Sequence, residues 1–246
     1  MTPDPKQQIS DTYTAAADSF EAPPLAFWQR FGERTVERAQ LSPGAIVLDV
    51  CCGAGGSAIP AARAVAPSGR VIGVDLAPGL LNLARAKAVP NAEFRHADFE
   101  QVYFRPATFD AVVCVFGIFF FEDMSAALQK MWRFLRPGGT LAITVWGPSA
   151  FAPLDGIFPG PHRWTRLAEP GSVEKLFADS GIPGAEITYE DYSQSLASPE
   201  DWWTIVNGSG FRGKVTPDAK DSLRAACLAI PSLSVPLPVT YALVRR

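Results

Sequence analysis

The sequence predicts an α/β fold built on a doubly wound sheet with helices on both faces. Three observations carry that expectation. From residue 45 to 146, short apolar runs alternate with segments of helical period, the pattern of strands buried on both faces between crossover helices. A glycine-rich loop follows the first of those runs, at the strand end where open α/β sheets bind ligands. The chain has 246 residues, 48% hydrophobic and 19% charged, a globular composition that fits one core of this size.

Residues 1–24 are polar and proline-rich, without a period, and read as a lid segment. Residues 25–40 place Leu25, Phe27, Trp28, Phe31, Val36 and Ala39 at helical spacing. Ser42, Pro43 and Gly44 punctuate the chain before a strand at 45–49 that ends in Asp49. A helix at 57–65, a strand at 70–75, a helix at 79–88 and strands at 92–95 and 109–116 follow, then a helix at 124–135 and a strand at 140–146. Pro137, Gly138 and Gly139 stop that helix and turn the chain into its strand. Residues 147–171 are dense in proline, glycine and aromatic residues and read as an ordered cap loop. A helix at 173–180, a strand at 185–192, helices at 199–208 and 217–230 and a strand at 239–245 bring the strands to seven. The expected organisation is one domain over 1–246: an N-terminal lid and helix in 1–40, a ligand-binding core in 41–146, and a cap in 147–246.

Net charge is −3, and the one basic cluster, Arg212 to Lys214, is short; no series of phosphates could be neutralised, so no nucleic-acid partner is expected. The first 14 residues lack a secretory pattern. The most apolar stretch, 111–121, is far short of the ~20 residues that span a bilayer. No membrane insertion is expected. Cys51, Cys52, Cys114 and Cys227 form no CxxC pair and no ligand spacing with the two histidines. Free thiols, a cytoplasmic setting and no metal follow as expectations.

The loop after the first strand reads Asp49-Val50-Cys51-Cys52-Gly53-Ala54-Gly55-Gly56-Ser57-Ala58, and Asp75 ends the second strand. Gly53, Gly55 and Ala58 match G-x-G-x-x-G/A, and an acid about 20 residues on suits ribose hydroxyls. Dehydrogenases share that pattern. Asp49 separates the two: beside a pyrophosphate a carboxylate would be repelled, at a cost of several kcal/mol in low dielectric, whereas a ligand with an ammonium group removes the conflict. The competing role for Asp49 is a cap for the following helix.

These residues resemble the class I S-adenosylmethionine-dependent methyltransferases, close to the branch typified by ubiquinone/menaquinone methyltransferases, over residues 10–146. The resemblance implies that Asp49 and the backbone of Cys51 and Gly53 hold the methionine part of S-adenosyl-L-methionine, and Asp75 its ribose. Leu76 would pack on the adenine. His96-Ala97-Asp98-Phe99 matches the stretch after the third strand, where Asp98 would accept from the adenine amino group and Phe99 would belong to the cofactor site. Residues 109–116 match the fourth strand, with Val115 and Phe116 lining the site, and 135–140 match the turn before the fifth. Tyr13 and Phe20 fall where the family's N-terminal lid folds over the cofactor. The last strand, 239–245, would run antiparallel, and a helical and loop cap would cover the C-terminal edge of the sheet. Cys51 stands where the family has glycine, which implies an ordinary φ there.

Methyl transfer from a sulfonium is an in-line displacement, so placement alone supplies much of the rate, and a general base is needed only for a protonated acceptor. His162, in the cap, is a candidate base; an idle loop histidine is the alternative. Trp28, Trp164, Trp202 and Trp203 are candidates for an aromatic acceptor pocket. The expected function is methyl transfer to the O, N or C atom of a small molecule. The alternatives are a nicotinamide-dependent oxidoreductase, for which no Tyr-x-x-x-Lys exists, and a cofactor-binding protein without transferase activity. Residues 1–24 and 147–170 are expected to form one mobile lid.

Overall fold

The computed structural model describes residues 4–246; the first three residues of the predicted lid lie outside it. In chain order the elements are α1 (Pro5–Ala16), α2 (Phe27–Ala39), β1 (Ile46–Val50), α3 (Ala58–Val65), β2 (Arg70–Asp75), α4 (Pro78–Ala86), β3 (Ala92–His96), β4 (Phe109–Val115), α5 (Met124–Phe134), β5 (Leu135–Trp146), α6 (Ser172–Asp179), β6 (Glu186–Glu190), β7 (Ser193–Ser195), α7 (Glu200–Asn207), α8 (Lys220–Leu228), β8 (Ser234–Pro236) and β9 (Val239–Arg245).

Seven strands form one sheet in the order β3-β2-β1-β4-β5-β9-β6. β9 runs antiparallel to both of its neighbours, β5 and β6, and the remaining pairs are parallel. The last strand is therefore antiparallel as expected, and it is inserted inside the sheet, leaving β6 at the edge. Successive residues of each strand face opposite layers. Leu48, Val50, Val112, Cys114 and Ile143 join one core, shared with α5 and the cap. Val47, Val71 and Val113 join the other, beneath α3 and α4. Strand order reverses between β1 and β4, the switch point at which such sheets open a crevice.

Three readings of the sequence are corrected. The N-terminal segment is not aperiodic: Asp4 caps α1, its carboxylate accepting from the Lys6 nitrogen at 3.0 Å, and Pro5 occupies the first helical position. The apolar stripe of α1 is only Ile9, Tyr13 and Ala16, too short to register as a period. The predicted strand 185–192 stops at Glu190, and the chain then enters a small ribbon of β7 with β8. The Pro-Gly-Gly segment does not separate α5 from its strand. β5 begins at Leu135 opposite Phe109, and the register then jumps to Thr140 opposite Ala111, so 136–139 is an irregularity within the pairing. Residues 147–170 contain two short 3-10 helices, Ala152–Leu154 and Arg163–Leu167, and Phe151, Leu154, Phe158 and Leu167 are buried in the main core. That segment is a packed part of the molecule.

Candidate active site

A cavity open to solvent lies at the C-terminal ends of β1, β2 and β4, with α1 lying across it. Cys51, Gly53, Asp75, Leu76, Val115 and Phe116 line it from the sheet side; Tyr13 and Phe20 line it from the N-terminal segment.

The glycine loop begins where β1 ends. Cys51 has φ +59, the left-handed region that costs an L residue about 1–2 kcal/mol. The ordinary φ expected for a cysteine is corrected here: the chain must leave the sheet sharply, and this position turns it whatever residue it carries. Room for the side chain comes from Gly117, where a Cβ would sit 2.6 Å from the Cβ of Cys51. Two residues on, the Gly53 nitrogen donates to Asp75 Oδ2 at 2.8 Å, while Ala77 donates to Oδ1 at 2.8 Å. Asp75 therefore ties the loop to β2. Burial raises its pKa, and these backbone donors oppose that shift.

Asp49 is fully buried. Its Oδ2 accepts from the Ser57 hydroxyl at 2.7 Å, and its Oδ1 has no partner among the described residues. Loss of solvent pushes its pKa up to about 7, against the Ser57 hydrogen bond and with help from Asp75. Asp49 does not itself line the cavity; Ser57 does.

Toward the β3 side, Leu76, Asp98 and Phe99 line the cavity. Asp98 is already engaged: its Oδ1 accepts from the Glu100 nitrogen at 2.9 Å, and its Oδ2 from the Lys6 ammonium at 2.6 Å. Lys6 also pairs with the Glu100 carboxylate, and Ser10 donates to the Leu76 carbonyl at 2.7 Å. Sequence reading missed Lys6 and Ser10. No motif marks them, since only the folding of α1 over the sheet brings residues some 66 to 92 positions apart together.

Aromatic residues close the other side. Tyr13 meets Phe120 edge-on at 5.6 Å; Phe20 stacks on Trp28 at 5.3 Å; Phe116, itself at φ +53, stacks on Trp146 at 3.8 Å. Behind them is a small second cavity, with room for about one water, which shares Tyr13, Trp28 and Phe116 with the first. Trp164 lines it. His162 does not: it stacks on Trp164 at 4.0 Å, and its Nε2 lies 3.2 Å from the Phe158 carbonyl. Burial, then the nearby Lys214 charge, lowers its pKa to about 4, so the ring is neutral near pH 7. Trp202 and Trp203 line neither cavity; both are buried on α7, and Trp202 Nε1 donates to the Ser232 carbonyl at 2.7 Å. They fill the core because α7 turns that face inward.

A family model described as a methyltransferase domain matches residues 47–139. The chain is 37% identical to the demethylmenaquinone methyltransferase of Deinococcus radiodurans over 169 residues, covering 68% of this chain and 67% of that protein. It is 30% identical to the aklanonic acid methyltransferase of Streptomyces sp. strain C5 over 211 residues, covering 84% and 92%.

The chain belongs to the class I S-adenosylmethionine-dependent methyltransferases.

S-adenosylmethionine is the cofactor of this methyltransferase, which sets aside the nicotinamide-dependent and non-catalytic alternatives. Its fold is shared by the magnesium protoporphyrin IX methyltransferase of Synechocystis PCC 6803 solved with bound S-adenosylmethionine, at a TM-score of 0.59 and 15% identity, over 98% of each chain. Residues of this site fit the cofactor. Asp49 carries an orphaned buried oxygen beneath the loop, and the cavity places an acid, Asp75, between the glycine loop and apolar walls. Among the described residues no helix is long and apolar enough to cross a membrane, and no cluster could hold a metal ion.

Proposed function

We propose that this methyltransferase methylates a small molecule, whose reacting atom meets the cofactor at the aromatic wall of the cavity formed by Tyr13, Trp28 and Phe116. One observation carries the reading: a single cavity is lined by the glycine loop on one side and by Tyr13, Trp28 and Phe116 on another, so an acceptor resting on those rings would face a methyl donor held at the loop. The names of the two curated relatives, which act on demethylmenaquinone and aklanonic acid, support a small-molecule acceptor.

The backbone of Cys51 and Gly53 and the Ser57 hydroxyl would hold the methionine end of the cofactor, with Asp49 acting from beneath the loop through its hydrogen bond with Ser57. Asp75 would take the ribose hydroxyls, and Leu76 and Phe99 the faces of the adenine. Asp98 would accept from the adenine amino group beside its ion pair with Lys6, and Tyr13 and Phe20 would close the site. When bound, S-adenosylmethionine supplies an electrophilic methyl group on a sulfonium that leaves as a neutral thioether. The protein's own part is to align the acceptor atom and exclude water, effects that amount to ~7–11 kcal/mol in well-oriented pairs. His162 stacks on Trp164 and has no place in this scheme, which runs on proximity and orientation.

The test is to incubate the protein with methyl-labelled S-adenosylmethionine and separate pools of small aromatic molecules, RNA and protein. Label in a small molecule is expected. Label confined to RNA or protein would overturn the reading.

A further inference from the structure

We propose that Lys130 is a positioning residue for the adenine end of the site. From outside the cavity it holds the turn that aims Asp98 at the adenine amino group, and so sets the preference for adenine over a base with oxygen in that place. The proposal rests on the role given to Asp98 above and extends it to α5.

The chain turns on itself after β3. Asp98 Oδ1 accepts from the Glu100 nitrogen at 2.9 Å, and the Asp98 carbonyl accepts from the Gln101 and Val102 nitrogens at 2.9 and 3.0 Å, a turn closed by an aspartate on its own backbone. The next two carbonyls, of Phe99 and Glu100, have no backbone donor among the described residues. Lys130 Nζ donates to both, at 2.8 and 2.9 Å. Hydrogen bonds from a charged donor are about twice as strong as neutral ones, and here one ammonium ties two successive peptides together. Asp98, Phe99 and Glu100 all line the cofactor cavity and Lys130 does not. It acts through the turn.

α5 makes that reach possible. Its buried face is Ala127, Leu128, Met131 and Phe134, and Lys130 stands at the margin of that face. The ammonium lies 5.2 Å from the Phe99 ring centre and 6.0 Å from that of Phe134, a cation against aromatic faces. Phe99 is held in turn by Phe121 at 5.7 Å and Phe134 at 6.2 Å. Lys6 does different work. It pairs with the Asp98 and Glu100 side chains from α1, while Lys130 grips their backbone from a helix of the main core.

The aim of Asp98 matters because hydrogen bonds weaken steeply below about 120°. A carboxylate held in place accepts from the adenine amine. Hypoxanthine presents an oxygen lone pair at the same point and is repelled. A turn free to swing loses the first contact and relieves the second, so the two bases become more alike.

Calorimetry on the whole protein with S-adenosylhomocysteine and S-inosylhomocysteine, its hypoxanthine counterpart, tests this. The wild type should prefer the adenine form by roughly tenfold to a hundredfold, the range of a hydrogen bond to a charged group, and Asp98→Ala should abolish the preference. Lys130→Met keeps an apolar stem against the rings and loses the ammonium; it should narrow the preference by roughly threefold or more. Lys130→Arg, which keeps charged donors, should recover it. Thermal unfolding checks that each variant is folded, and Lys130→Gln stands in for Lys130→Met if that one is not. A residue that only supported the fold would weaken both ligands alike. The proposal is overturned if loss of the ammonium leaves the ratio of the two affinities unchanged, or if Lys130→Arg behaves as Lys130→Met does. A wild type without preference, or a preference that survives Asp98→Ala, would remove the Asp98 role and this proposal together. A preference lost in Asp98→Ala and intact in Lys130→Met would remove Lys130 alone.

Discussion

Gly32, in the middle of α2, lies so close to Gly56 of the cofactor loop that a Cβ on it would collide with the Gly56 carbonyl and come within 2.7 Å of the Ser57 nitrogen. Both obstacles are backbone, so neither can swing aside. α2 thereby sets the height of the loop over the sheet. Gly32→Ala should destabilise the protein by about 1–3 kcal/mol through overpacking, outweighing the ~1 kcal/mol that alanine gains over glycine inside a helix. It should also weaken S-adenosylhomocysteine binding. Urea unfolding and calorimetry measure the two effects; a stabilised variant with unchanged affinity would refute the link.

Asp49 should make cofactor binding release a proton. Its pKa, pushed up to about 7 by burial, falls when the cofactor's ammonium group settles over the loop above it, because a nearby opposite charge favours the ionised form. Affinity for S-adenosylhomocysteine should then rise as pH increases toward 7 and level off above it. The same group affects stability with the opposite slope. Its folded pKa lies above the unfolded value, so its contribution is fully present below about pH 4 and is lost as pH rises through 7. Calorimetry in buffers of different ionisation enthalpy at pH 6 reads the proton directly, and Asp49→Asn should abolish the release.

Asp75→Ala should weaken S-adenosylhomocysteine binding by roughly 1.5–3 kcal/mol, the value of a charge-assisted hydrogen bond. Asp75 also holds the Gly53 and Ala77 nitrogens, so the variant should lose order in the loop as well. An unchanged dissociation constant, measured by calorimetry, would remove Asp75 from the ribose role.

Motion at the cavity should be confined to α1. Lys6 is half-exposed in its ion pair with Asp98, and such pairs contribute about 0–1 kcal/mol; the cap at 151–158 is instead held by buried rings. Hydrogen exchange should show α1 amides opening readily in the free protein, faster in Lys6→Met, and slowed by S-adenosylhomocysteine. Amides of 151–158 should stay protected throughout. Equal protection of both segments in every state would contradict this.

Trp202→Phe should cost about 1–3 kcal/mol of stability, since it opens a void and leaves the Ser232 carbonyl without its donor. Affinity for S-adenosylhomocysteine should not change, because Trp202 lines neither cavity. Thermal unfolding with calorimetry separates the two.

The glycine-loop side of the candidate site was legible because its signals are local. The run from Asp49 to Ala58, the acid ending β2 and His96-Ala97-Asp98-Phe99 each lie on one strand end, where the hydrophobic pattern and the glycines locate them. The aromatic side was not. Trp28, Trp164, Trp202 and Trp203 look alike in sequence, yet two face cavities and two fill the core, a choice made by how α2, the cap and α7 rotate against the sheet.

By itself, the sequence determined the alternation of strands and helices, the glycine loop with its two acids, and hence the methyltransferase fold, since each depends on residue spacing within a few turns or along one strand. Tertiary structure alone decided which distant segments meet over that loop. α1 brings Lys6 to Asp98, α2 brings Gly32 to Gly56, and the turn after α7 brings Ser209 among the rings of the cap. Those contacts are fixed by close packing of whole elements, in which one Cβ or one ring edge decides the fit, and no local pattern encodes them.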